Sequence, residues 1–177
     1  MPAFLVLLAL GAIAFVWMKR TRAARDITHE LSDAPHDVIA AAKRLGFRRR
    51  ANTHPVDTIE EPALGIGALA QAFLELGGPP SARQQAALTR SVQTHTGQSL
   101  ADAEETLIIG RWLIGRCNGP EPAVERLTRK LARLDRTGSF GPLMAVLDDV
   151  ARSAGGARLS DKQIDALTEV ARCFKVG

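Results

Sequence analysis

Thr106-Leu-Ile-Ile-Gly-Arg-Trp-Leu-Ile114 is the stretch that decides the fold class. Wound as an α-helix, it places apolar side chains on nearly every face, the mark of a helix surrounded by other helices. Ser99, followed three residues later by Asp102, is a helix-start signal, and Asn118-Gly119-Pro120 is a stop. The spacing therefore predicts a helix from Ser99 to about Cys117 at the centre of a bundle. Gly110 and Gly115 each cost about 1 kcal/mol relative to alanine in a helix interior, and close approach of a neighbouring helix is the reason to expect them there.

The pattern extends in both directions. Thr58 with Glu61 reads as a capping box, Pro62 fits a first helical turn, and the helix runs to about Leu76, where Gly77-Gly78-Pro79-Pro80 stops it. Ser81 with Gln84 is a second capping box, opening a helix that ends near His95. Downstream, a helix follows Pro120 to about Arg136, Thr137-Gly138 breaks it, another covers roughly Phe140 to Ala154, and Ser160 with Gln163 opens one that runs to about Phe174. The chain has no tyrosine and 5% aromatic residues, a composition that leans away from β-sheet. The expected fold is an all-α helical bundle over 58–177.

The bundle contains a repeat. Gly77-Gly78 matches Gly155-Gly156, and Ser81, Gln84, Ala87, Leu88 and Thr89 match Ser160, Gln163, Ala166, Leu167 and Thr168 after a one-residue gap. Two equivalent helical hairpins flanking a buried middle suggest internal duplication. A helix, a glycine turn and a serine-capped helix, repeated near the C-terminus, resembles the TerB-like domain of tellurite-resistance proteins and of membrane-anchored J-domain co-chaperones. The resemblance implies an all-helical bundle, sometimes metal-binding through acidic residues at the hairpin turns, in stress-response and membrane-associated proteins. The chain departs from that pattern. Gly-Gly stands where the family has Asp-Gly, and Gln84 and Gln163 stand where it has Glu. A hard divalent cation needs several oxygens around one point, whereas the first turn offers no carboxylate and the second only Asp161. No metal site and no cofactor are expected.

Ahead of the bundle, Met1 to Met18 carries no charged residue and spans roughly 27 Å at about 1.5 Å per residue, enough to cross a bilayer core. Trp17 sits at an interfacial position, and Lys19 and Arg20 can snorkel to headgroups. A cleaved signal peptide would have its basic residues before the apolar run and a small-residue cleavage site after it. Here Lys19, Arg20, Arg22 and Arg25 follow the run, so the expectation is a transmembrane anchor over 1–20 in an inner (plasma) membrane. The positive-inside rule puts the N-terminus outside and the C-terminal domain in the cytoplasm.

The formal charge of +4 is unevenly placed. Residues 19–50 hold nine Lys/Arg against four Asp/Glu, a net of +5, and the rest of the chain nets −1. Basicity next to a membrane span suits anionic lipid headgroups and is poor evidence for nucleic acid. Residues 21–57 read as a basic stalk and linker. A short helix closes at Gly46 and rests on the membrane or on the domain, and Arg48, Arg49 and Arg50 form a second lipid-flanking cluster. His54, Pro55 and Asp57 fall short of the J-domain His-Pro-Asp triplet because Val56 interrupts them.

The chain carries no zinc-protease, phosphate-loop or nucleophile-elbow motif, and no catalytic residue is assigned. Cys117 and Cys173 lack metal or redox spacing and read as core or edge residues. His95 reads as a favourable cation at a helix C-terminus, and Asp148 and Asp149, being adjacent on a helix, point in different directions. One pattern stands out. Arg126, Arg129, Lys130, Arg133 and Arg136 recur at three- and four-residue steps opposite Leu127, Leu131 and Leu134, giving a basic stripe that is the candidate face for a protein partner. The leading expectation is a non-enzymatic membrane adaptor or scaffold. The alternative is a metal-responsive stress protein binding a divalent ion.

Overall fold

The computed structural model describes residues 36–44, 53–153 and 158–175, all within the unit His36–Gly177. Among them run seven α-helices and one 3-10 turn, with no strand. The helices are α1 (His36–Arg44), α2 (Pro62–Leu76), α3 (Ala82–Thr96), α4 (Leu100–Arg116), α5 (Pro120–Leu134), α6 (Arg136–Ser153) and α7 (Asp161–Phe174), and the turn is Pro55–Thr58. The all-α expectation holds. The apolar run Met1–Met18, its flank Trp17, Lys19, Arg20, Arg22 and Arg25, the cluster Arg48–Arg50 and the Gly155-Gly156 pair lie outside the described residues. Among the described residues no helix is long and apolar enough to cross a membrane.

The centre of the bundle is α2, not the helix through Thr106–Ile114. Twelve of its fifteen residues are buried, against eight of seventeen in α4, and α3, α4, α5, α6 and α7 all pack on it. The apolar surroundings of α4 have another source: α2 covers one side of it and α1 packs on it as well. Val38 and Ala41 of α1 are buried accordingly, so the short helix rests on the bundle.

Small residues let α2 and α4 approach. A Cβ on Gly67 would stand 2.3 Å from Thr106 Cγ2, and one on Gly110 would stand 3.0 Å from the Cα of Ala68. Gly110 thus has the packing role expected of it. Gly115 does not, since a Cβ there would meet nothing within 4 Å.

Three expected starts form as read from their serines. Ser81 and Ser160 make full capping boxes with Gln84 and Gln163, and the Ser99 hydroxyl accepts from the Asp102 N–H. The Thr58–Glu61 box does not form. Thr58 Oγ1 donates instead to the Pro55 carbonyl at 2.7 Å, closing the 3-10 turn, and α2 starts at Pro62 with no side-chain cap. The break expected at Thr137-Gly138 lies at Asp135. Its carboxylate accepts from the Gly138 N–H at 2.8 Å and so caps α6 three residues before the glycine. Gly138 is small for that reason, because a Cβ would sit 2.5 Å from Asp135 Oδ2.

The repeated caps do not produce repeated packing. α3 lies on α6, α4 and α2, whereas its counterpart α7 lies mainly on α5 and on α2 and meets α6 at the Phe140–Phe174 ring contact. There the α7 cap serves two helices. Gln163 Oε1 accepts from the Ser160 N–H at 3.0 Å while Nε2 donates to the buried Phe73 carbonyl at 3.1 Å, and Ser160 Oγ donates to the Leu76 carbonyl at 3.1 Å. The last turn of α2 is thereby satisfied by the first turn of α7. A glutamate at 163 could cap α7 but has no hydrogen for Phe73, which is a physical reason for glutamine at this position.

Gln163→Glu is therefore expected to lower stability by about 1–3 kcal/mol at neutral pH, as a buried carboxylate faces a carbonyl without a donor. Burial raises the folded-state pKa of the new group above its ordinary value of about 4.3. The penalty should be absent below about pH 4, where a carboxylic acid can donate to Phe73, and should appear in full as pH rises through the folded-state pKa. Urea unfolding of variant and wild type across pH checks both the size and the sign.

Candidate functional site

Helix α5 turns Ala123, Val124, Leu127, Thr128, Leu131 and Ala132 into the bundle, which leaves the opposite face for charge. Arg126, Arg129, Lys130 and Arg133 stand on that face as the spacing predicts, with Leu127 and Leu131 buried beneath. Arg136 is separate. Because the helix ends at Leu134, Arg136 is the exposed first residue of α6 and does not line the same cleft.

The residue that organises this face comes from the 3-10 turn. Val56 and Ile59 are fully buried. His54 fastens the turn on its other side, accepting from the Val56 N–H at Nδ1 and donating from Nε2 to the Arg116 carbonyl at 3.2 Å. So held, Asp57 projects onto α5. Its Oδ2 pairs with Arg126 Nη2, its Oδ1 lies 3.6 Å from Arg133 Nη2, and its backbone carbonyl accepts from Lys130 Nζ at 2.9 Å. Arg129 pairs with Glu125 at 2.9 Å. With Leu134, the four cations and Asp57 line an open cleft of about 600 Å³. Four cations meet two carboxylates, Asp57 and Glu125, so the cleft carries a surplus of two positive charges.

The local pattern names Asp57 only in the interrupted His-Pro-Asp triplet and does not place it on this face. The available signal was the apolar pair Val56 and Ile59, whose three-residue spacing marks a buried turn rather than a solvated one.

On its other flank α5 faces α7 across a groove of about 420 Å³, floored by Leu76, Val124 and Ala166 and rimmed by acids including Glu121 and Asp165. Lys162 pairs with Glu121 across it. At the α3–α6 contact, Asp148 and Asp149 do point in different directions. Asp148 pairs with Arg152 on its own helix, while Asp149 Oδ2 accepts from Ser91 Oγ at 2.7 Å and meets His95 Nε2 at 3.0 Å. The Ser91 hydroxyl donates to the carboxylate and not to the imidazole. The cluster is a clamp between helices.

Cys117 is buried and Cys173 half-buried, both as free thiols. Burial pushes both pKa values up, Cys173 further through its hydrogen bond to Glu169, so neither is an activated nucleophile. Glu169 works against its own desolvation but is held below the usual carboxylate range by hydrogen bonds from Arg172 and Cys173. Among the described residues no three His, Cys, Asp or Glu side chains group as metal ligands. No family model, curated protein or solved structure matches the chain.

The cations of the cleft divide into those that hold the turn and one that does not. Lys130→Met removes the donor to the Asp57 carbonyl and is expected to lower stability by about 1 kcal/mol. Arg129→Met, which loses only an exposed pair, should stay within about 0.5 kcal/mol of wild type. Thermal and urea unfolding of the two variants side by side measures the difference.

Proposed function

We propose that the protein is a membrane-anchored, non-enzymatic adaptor whose cytoplasmic, TerB-like helical domain captures a protein partner on the basic cleft of α5. The observation that carries this reading is the convergence of Arg126, Arg129, Lys130 and Arg133 on one open face with a positive surplus. Such a concentration of one sign suits recognition of an acidic surface and speeds encounter with it. The serine-capped helix starts at Ser81 and Ser160 support reading the bundle as a TerB-like one, with Gln84 and Gln163 standing where that family has Glu. The uncharged run Met1–Met18 followed by Lys19, Arg20, Arg22 and Arg25 supports a single span with its basic flank on anionic lipid. On this reading the cleft stands on the cytoplasmic side of an inner membrane, where a captured partner would be held.

The anchor has its own test. A reporter fused after Gly177 is expected to be active on the cytoplasmic side, and replacing Lys19, Arg20, Arg22 and Arg25 with glutamate should disturb that orientation. Digestion of the helical domain by protease added outside sealed right-side-out vesicles would count against the topology.

The cleft is tested by charge reversal. Arg129→Glu with Arg133→Glu should leave the helical fold intact, since exposed substitutions change stability by under about 0.5 kcal/mol each. Crosslinked capture of the partner should fall, and capture by the wild type should weaken with added salt, because exposed charges are screened within about 8 Å at physiological ionic strength. Leu131→Ala is the contrasting variant. That side chain is 1% exposed, and its loss should cost about 2–5 kcal/mol of stability. An unchanged set of captured proteins from the double reversal would mean that α5 is only a solvated face.

A further inference from the structure

The acid at the heart of the basic cleft belongs to the protein itself. Asp57 presents Oδ2 to Arg126 and Oδ1 to Arg133, so each carboxylate oxygen faces its own guanidinium, the arrangement two arginines offer to a planar carboxylate from any source. The turn that carries it is fastened independently of that carboxylate. Lys130 holds the Asp57 carbonyl, Thr58 Oγ1 holds the Pro55 carbonyl, His54 is tied to Arg116, and Val56 is sunk in the core. The Asp57 side chain, already about one-third exposed, can therefore rotate away from the arginines without the turn coming apart.

Resting on the reading of this cleft as the recruiting surface, we propose that Asp57 is a tethered internal ligand. It occupies the Arg126–Arg133 clamp until a carboxylate from an acidic segment of the partner takes its place. The exchange swaps like for like at the arginines and returns Asp57 to water, where its charge is fully solvated. The surplus of two positive charges remains to be met, so the segment that displaces Asp57 brings several acids rather than one. The fit of both carboxylate oxygens to separate guanidiniums favours Asp or Glu side chains over the phosphate of a lipid headgroup.

The test uses the full chain in a nonionic detergent and a fluorescent ten-residue glutamate-rich peptide as the probe. If the clamp is closed on Asp57 about nine-tenths of the time, Asp57→Asn should tighten peptide binding roughly tenfold, since apparent affinity scales with the competent fraction. Glu104→Gln on α4, outside the cleft, makes the same change in net charge and should tighten it far less. Arg126→Leu with Arg133→Leu should abolish binding in either background. In the wild type, the 13Cγ resonance of Asp57 should move as the peptide saturates, a readout that needs no variant at position 57. Equal tightening by Glu104→Gln, or an Asp57 resonance that stays in place at saturation, overturns the internal-ligand proposal while leaving the cleft as a recruiting surface. Saturable binding of glycerophosphoglycerol, a soluble lipid headgroup, without peptide binding overturns the carboxylate assignment. Absence of binding in every variant removes the recruiting reading and the proposal together.

Discussion

A helix that is apolar on every side has to be sheathed, and α2 imposes that demand on the rest of the chain. Its burial removes the side chains from Leu64 to Leu74 from water as one continuous cylinder, with Leu69 and Phe73 almost wholly enclosed. At about 25 cal/mol for each Å² of apolar surface removed from water, that cylinder is a large source of stabilisation in the domain. The sheath is close because it is built on small residues: Gly67 and Gly110 let α4 nearly touch the α2 backbone, and Gly65 receives Leu131 of α5. The five helices from α3 to α7 each contribute a face to the cylinder, and α1 packs on α4 instead.

The candidate site is a by-product of that arrangement. Once Leu127 and Leu131 commit one side of α5 to α2, its arginines and lysine have only one direction left. What turns a solvated stripe into a cleft is the 3-10 turn, pinned by Val56 and Ile59 to the same core and so carrying Asp57 to a fixed place over the helix. Rigid support by buried apolar groups beside an exposed charged rim is what a recognition surface requires.

Serine caps are legible in the sequence and long-range pairings are not, for identifiable reasons. Ser81, Ser99 and Ser160 announce helix starts because a cap bonds to a backbone only two or three residues away. Gly110 was legible because a glycine inside an apolar helix has few explanations. The choice of α4 over α2 as the centre failed because periodicity reports how much of a helix is apolar and not what covers it. α1 packs on α4 from beyond the segment assigned to the bundle. Arg136 falls on the next helix because the break is made by the Asp135 carboxylate, a side-chain event three residues before Gly138. The Asp57–Arg126 pair joins positions 69 residues apart, and nothing in a single chain's local pattern links them.

The double duty of the Ser160–Gln163 cap has a consequence for the order in which the domain is made. The carbonyls it satisfies lie 84 and 90 positions earlier in the chain. At a synthesis rate of about 5–20 residues per second, the central helix waits roughly 5 to 20 s for its closing partner. During that interval its apolar cylinder has no finished end, and contacts of such long range are late events in folding. A chain interrupted before the helix from Asp161 to Phe174 leaves the Phe73 and Leu76 carbonyls without these partners and the core open at that end.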